Sequence, residues 1–262
     1  MILKRRVALG GVELDSLDNR ILISGIDEAA GKDEITATDA AGRDGQRVIR
    51  RKRKSLDVTV KFTLKIRNDD MEAREELLEK INGWAANGGW MTIGSRPNRR
   101  LMVVLAQAPG SGDMFAWANE FTMVFRAYSV PYWADREAAI ISSAVESSGT
   151  MTLDAPGNTE SVADVTVENK SGKEIKNLKV KVGSKEFTFE SLGLGGSDKL
   201  IIDHVQKTDK FYLRARIGST SVLAKRTAGS ADDFTVKPGE NVITFTADRA
   251  VRVTVSVRGR YL

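Results

Sequence analysis

From Leu56 to Ile66 the chain alternates apolar and polar side chains almost without fault. Leu56, Val58, Val60, Phe62, Leu64 and Ile66 fall on one side; Asp57, Thr59, Lys61, Thr63 and Lys65 fall on the other. A period of two is the signature of a β-strand with one buried face. Eleven residues at about 3.3 Å each span roughly 36 Å, about twice an ordinary strand. Burying the six large side chains is worth on the order of 10 kcal/mol before conformational entropy is set against it. A basic run, Arg50, Arg51, Lys52, Arg53 and Lys54, precedes the strand, and Asn68-Asp69-Asp70 follows it as a helix-start signal.

The same reading extends outward. Residues 2–9, 21–26, 35–39 and 48–54 read as shorter strands, with Ala41-Gly42-Arg43-Asp44-Gly45 as a turn. Residues 69–87 form the one convincing helix. Asn68 or Asp69 caps it, Asp70 and Glu72 fill its first turn, and Gly88-Gly89 stops it. Met71, Leu78, Ile81 and Ala85, with Leu77 and Trp84, make a core-facing stripe. Strands resume at 90–93 and 101–105 across a turn at Arg96-Pro97-Asn98, and again at 120–128. Pro131 breaks the pattern, because proline removes a ladder donor and restricts the residue before it.

A domain boundary is expected near 136, giving domains 1–135 and 136–262, with the Ser-rich 144–150 stretch as the entry to the second. Beyond it the pattern is all β. Candidate strands are 151–153, 162–169, 178–182, 186–190, 199–203, 211–217, 221–225, 242–246 and 251–260. Turn signals such as Asn169-Lys170-Ser171-Gly172 and Lys237-Pro238-Gly239-Glu240 separate them. Short strands at this spacing imply a sandwich or jelly roll. The expected fold class is therefore mainly β, with one helix in the N-terminal domain (α+β), followed by a β-sandwich.

Composition changes this picture little. The chain has 262 residues, 41% of them hydrophobic, enough for a real core. It has no cysteine, which excludes disulfides and thiolate metal sites. No apolar stretch of signal-peptide length follows the charged start, and no apolar run reaches a membrane span. The expectation is a soluble, leaderless protein without membrane insertion. The net charge of +5 is spread along the chain rather than gathered in one domain. Only residues 50–54 are concentrated. A solvated hairpin arm is the simplest reading of that run, and a protein–protein contact is the functional one. Nucleic acid fits poorly, since no aromatics interleave with the cations.

Reactive chemistry is nearly absent. His204 is the one histidine. It excludes paired-His zinc motifs, and beside Asp203 it reads as a turn residue at a strand end. There is no P-loop and no Gly-x-Ser-x-Gly elbow. Gly193-Leu194-Gly195-Gly196 reads as a turn. The adjacent acids Asp69-Asp70 and Asp232-Asp233 diverge rather than converge. The four tryptophans (Trp84, Trp90, Trp117, Trp133) all precede 136, which weakens a sugar-stacking platform in the second domain. No catalytic, metal or cofactor residue is assigned.

The order of these features resembles the distal tail protein of long non-contractile-tailed phages and related prophage tail proteins. The resemblance rests on Arg43-Asp44-Gly45, the basic arm, the long alternating strand, one helix ending near Trp84, the strand 99–105, and closure in Pro131-Tyr132. In the second half it rests on Leu200-Ile201-Ile202-Asp203, on Phe234 to Asn241 with Pro238-Gly239-Glu240-Asn241, and on Arg258-Gly259-Arg260-Tyr261. Val130 departs from it, standing where the family often has Asp before Pro-Tyr.

The resemblance implies a structural, non-enzymatic virion tail protein. The first domain would form a hexameric ring through a β-rich core and a projecting arm at about 43–60. The second would be a galectin-like sandwich. Implied partners are the tail tube protein, the tail-tip hub, and a receptor-binding protein or host-surface glycan, with DNA only in passage. Arg50, Arg51, Lys52, Arg53 and Lys54 are the candidate oligomer or partner contacts, set against acidic surfaces. The competing readings are a carbohydrate-binding module, a β-sandwich glycoside hydrolase, and the tail tube protein itself.

Overall fold

The computed structural model describes residues 5–29, 33–39, 44–67, 70–109 and 120–262, and at Arg51 the backbone alone. The chain divides into two compact units, Met1–Trp133 with Gln206–Lys210, and Ala134–Val205 with Phe211–Leu262.

In the first unit, β1 (Val7–Leu9), β2 (Val12–Glu13) and β3 (Ile21–Glu28) are followed by β4 (Asp33–Asp39), β5 (Gln46–Arg53) and β6 (Leu56–Leu64). Then come α1 (Met71–Ala86), β7 (Gly89–Ile93), β8 (Arg96–Gln107) and β9 (Glu120–Ala127). One antiparallel sheet runs in the order β2-β1-β7-β8-β9-β6-β3. The alternating strand sits near its centre as β6, between β3 and β9. Its apolar side, Leu56 to Leu64, is buried, and Val58 and Phe62 lie directly across from Phe125 and Phe121. Phe62 and Phe121 stack at 5.6 Å. The solvent side is held by a bidentate cross-strand pair, Arg126 Nε and Nη2 to the two Asp57 carboxylate oxygens at 2.6 and 2.7 Å. That hydrogen-bonded carboxylate raises the guanidinium's pKa.

Helix α1 buries Arg74, Leu77, Ile81 and Ala85. Its N-cap is Asp70, whose carboxylate accepts from Ala73 N at 3.0 Å; Asn68 and Asp69 lie outside the described residues. Met71 faces solvent rather than the core, because it precedes the first buried turn. Gly88 ends the helix at φ +60°, and a Cβ there would stand 2.3 Å from the Val103 carbonyl oxygen. The expected result for Gly88→Ala is a loss of about 2–4 kcal/mol, from left-handed strain plus a backbone clash. Urea denaturation followed by tryptophan fluorescence measures it.

The second unit contains β11 (Ala139–Ser142), β12 (Glu146–Ala155), β13 (Ser161–Asn169), β14 (Leu178–Val182) and β15 (Lys185–Phe189), after β10 (Trp133–Asp135) at the boundary. These are followed by β16 (Lys199–Gln206), β17 (Phe211–Ile217), β18 (Thr220–Ser221), β19 (Thr235–Val236), β20 (Gly239–Val257) and β21 (Arg260–Tyr261). Strand β20 is shared by both layers of one ten-stranded sheet. Its first half runs between β12 and β14, and its second between β11 and β13. β15 extends one layer; β16, β17 and β18 extend the other. Val180, Val182, Ile243 and Phe245 from one layer join Val165, Val167, Val253 and Val255 from the other in a single buried core. This is a β-sandwich, so the chain as a whole is mainly β with one α-helix among the described residues.

On the solvated face Glu168 receives Lys170 at 2.8 Å and Lys199, its cross-strand partner, at 2.5 Å. Those hydrogen bonds lower its pKa from 4.5 to about 2. The ionised form is favoured in the folded state, so this stabilisation is complete above about pH 4.5 and is lost as pH falls toward 2. Glu168→Gln removes that slope. The urea-midpoint gap between wild type and variant, clear at pH 6, narrows steadily by pH 2.5.

Several boundaries differ from expectation. The alternating strand ends at Leu64, where Lys65 N turns to the Arg20 carbonyl. Arg96-Pro97-Asn98 is strand rather than turn, and Gly94-Ser95 makes the reversal. Pro97 is tolerated because pairing with β7 shifts there, so its missing N–H breaks no regular ladder. The 144–150 stretch lies largely within β12, 221–225 is mostly a 3-10 turn, and 242–246 and 251–260 merge into β20. His204 lies inside β16, not in a turn. The stretch 43–60 spans two different pairings: β5 pairs with β4, whereas β6 is committed to the body sheet. Residues 2–4, Ala41-Gly42-Arg43 and Trp117 lie outside the described residues.

Candidate functional site

β4 and β5 pair only with each other. The register sets Asp33 opposite Arg53, Glu34 opposite Lys52, Thr36 opposite Arg50, Ala37 opposite Val48 and Thr38 opposite Arg47. Ile49 is the extra residue of a bulge between Thr36 and Ala37. Residues directly opposite share a face. One face therefore carries Arg47, Arg50 and Lys52 against Glu34 and two threonines, while Ile35, Ala37 and Val48 lie on the other. Neither face is covered: Ile35, Val48 and Ile49 are 58%, 57% and 65% exposed. A two-stranded ribbon with no buried face is marginal in water by itself. It also offers unpaired edges on both sides.

The basic run thus splits by position. Arg53 is at the ribbon's base. Its side chain is largely buried, pairs with Asp33 at 3.3 Å, and lies over the Tyr132 ring at 5.9 Å. Arg50, Lys52 and Lys54 are exposed. Arg50 and Lys52, with Arg47, make no ion pair among the described residues. The Arg51 backbone stands opposite Ile35. Sequence reading named the cations and passed over the exposed Ile35, Val48 and Ile49. Their signal was present: Val48-Ile49, two adjacent branched apolar residues, interrupts a period of two and marks the bulge.

A second exposed feature of the first unit is one flank of α1. Met71, Leu78, Asn82, Glu75 and Glu79 line a cleft of about 290 Å³ with Arg74 and Pro109. Glu72, Glu75 and Glu79 are exposed and make no ion pair among the described residues. Glu76 is held by Lys80 at 2.5 Å, which lowers its pKa. The Asn82 side-chain oxygen is buried without a hydrogen bond.

The second unit assembles no reactive centre among the described residues. Asp164 Oδ1 accepts from the His204 backbone N at 2.8 Å and lies 3.1 Å from His204 Nδ1. The ring stacks on Phe211 at 5.5 Å. Nε2, the nitrogen a nucleophile would use, is buried with no partner. Asp203 is taken by Arg214 at 2.9 and 2.5 Å. Asp233 holds its own turn through Thr235, and Asp232 meets Arg226 at 3.5 Å. No group of three or more His, Asp or Glu residues has metal-site geometry among the described residues. A cleft of about 440 Å³ runs between Asn177–Lys179, Thr188–Glu190 and Thr246–Asp248. Its aromatic wall, Phe189, is fully buried, so no ring is presented for sugar stacking.

No protein-family model matches the chain, and no curated protein matches it. Among solved structures, the Dit protein (gp 19.1) of phage SPP1 superimposes with a TM-score of 0.70 at 14% identity, over 98% of this chain and 99% of that one. That protein is described as a paradigm of the hub of the adsorption apparatus in phages infecting Gram-positive bacteria. Chains of the phage P2 baseplate in its activated conformation align less well. With Ca the TM-score is 0.47 at 6% identity, over 97% of this chain and 98% of that one; with Sr it is 0.48 at 8%, over 97% of each. The chain has the fold of the SPP1 Dit protein along its whole length.

Proposed function

We propose that this chain is a distal tail hub subunit of a siphophage: a structural, non-enzymatic part of the virion tail. The observation that carries the reading is the end-to-end correspondence with the SPP1 Dit protein, both units included. The uncovered ribbon supports it physically. Residues 33–53 leave three branched apolar side chains and two strand edges in water, which is costly unless another chain covers them.

In this reading the first unit is the ring-forming domain. Copies join head to tail and close by rotation, six to a ring. The second unit is a galectin-like sandwich that carries a receptor-binding protein or meets a host-surface glycan. The ring joins the tail tube protein on one side to the tail-tip hub on the other, and DNA passes through without being held. Arg50, Arg51, Lys52, Arg53 and Lys54 belong to the oligomer contact, with Arg53 anchoring the arm.

Light scattering combined with negative-stain imaging tests this. The expected result is a particle of six times 28.7 kDa with a central hole about the width of a DNA duplex. A single-chain mass at every concentration overturns it.

A further inference from the structure

We infer that the outer edge of β12 takes up an extended segment of a partner protein as an added strand, one with apolar residues at alternate positions and a cation at each end. The inference stands on the second unit alone and needs no reading of the first.

Strand β12 pairs with β20 along one edge and, among the described residues, with no strand along the other. It is ten residues long, and its register is unbroken from Ser148 to Ala155. The other margins of the sandwich are short or closed. β18 has two residues and β11 four. β15 is covered by the 226–231 loop, where Thr227 N donates to the Thr188 carbonyl at 2.9 Å and Ala231 N to the Glu186 carbonyl at 2.8 Å. Edge strands are ordinarily guarded by lysine, proline or a bulge. From Ser147 to Leu153 there is no charge and no proline, and the one irregularity falls at the start, between Glu146 and Ser148. Ser147, Ser148, Thr150 and Thr152 are exposed. A row of bare backbone donors and acceptors on a long edge is what strand addition uses.

The chemistry of the occupant follows from the side chains along this edge. On the inward side Met151 packs against the core but is only partly buried. So are Ala139 and Ile141 of β11, which runs along the same margin of β20. Apolar side chains at every second position of an added strand cover such residues. Charge sets the ends. Glu146 stands at one end, and Asp154, directly across from Glu240, at the other. All three acids are exposed and make no ion pair among the described residues. A second β12 is the wrong occupant: in full antiparallel register it sets Glu146 of each copy opposite Asp154 of the other, like charge on like. Cations at both ends fit instead.

The probe is a fluorescein-labelled synthetic peptide, Lys-Thr-Val-Ser-Val-Thr-Leu-Lys, added to the full-length chain; its control has Glu at both ends. The expected result by anisotropy is binding about tenfold tighter for the Lys-ended peptide, the size of a few exposed charge contacts. Glu146→Lys with Asp154→Lys reverses the order, and both side chains are exposed, so the variant folds. Hydrogen exchange read by mass spectrometry shows the bound peptide slowing amides within 147–154 and leaving β15 and β18 unchanged. Absence of binding, equal binding of the two peptides, or protection elsewhere overturns the inference. So does protection of 147–154 in the chain alone that vanishes on dilution, which makes a second copy the occupant.

Discussion

Excising Glu34–Lys52 and joining Asp33 to Arg53 through Asn-Gly leaves a folded chain that no longer assembles. Asp33 and Arg53 stand directly opposite each other, so a two-residue turn closes the cut without moving either strand end. Their ion pair and the Arg53–Tyr132 contact survive. Every described side chain in the removed stretch is exposed or half-buried, so the body sheet keeps its own apolar burial. The thermal midpoint of the first unit therefore stays within a few degrees. The mass by light scattering drops to about that of a single chain. Undiminished ring formation by this folded deletion would remove the ribbon from the oligomer contact altogether. Substituting Ile35, Val48 and Ile49 by threonine gives a graded version: the strands keep β-branched residues while the apolar contact is lost.

The second large effect concerns Asn169. It is buried at the end of β13 and works as a hub of hydrogen bonds. Its Nδ2 donates to the carbonyls of Lys173, Leu194 and Gly195 at 2.6, 3.0 and 2.9 Å. Its Oδ1 accepts from Ser171 N and Oγ at 2.9 and 2.8 Å. Two loops, 170–175 and 193–198, are thereby tied to one side chain. Asn169→Ala strips the donors from these carbonyls together. The expected loss is about 3 kcal/mol or more, confined to the second unit. Asn169→Asp is no better, since a carboxylate facing three carbonyls repels them. All four tryptophans lie in the first unit, so their fluorescence transition stays in place while the far-UV dichroism transition moves to lower denaturant. Coincident shifts in both signals would mean the two units do not unfold separately.

The centre of the fold was legible because local pattern and tertiary demand agree there. β6 alternates because one of its faces packs in the sheet's core, and α1 carries its stop signal at Gly88. Elsewhere tertiary pairing overrides pattern. The Ser-rich start of β12 has no apolar face, yet it is strand because β20 supplies its hydrogen bonds. β20 itself looked like two strands because Asp248 and Arg249 interrupt the valines, at the point where its partners change from β12 and β14 to β11 and β13. Asn169 read as a turn residue; its reach to Leu194 depends on a loop some 25 residues away, which no local window contains. At the candidate site the cations were legible as a run. Their separation into one structural arginine, a solvated face and a bulge depended on the register with β4, which charge alone does not encode.

The position of β20 late in the chain also governs the timing of folding. β11 and β12 find their partners about a hundred residues downstream, and β14 hydrogen-bonds the same strand. During synthesis on the ribosome, most of the first unit's sheet can form as its strands emerge. The sandwich stays open, with β12 and β14 lacking their shared partner, until Gly239–Val257 leaves the exit tunnel. Such non-local closure is slow, and the waiting strands are prone to aggregation. Premature termination within the second unit, before β20, should therefore yield insoluble fragments rather than a half-built sandwich.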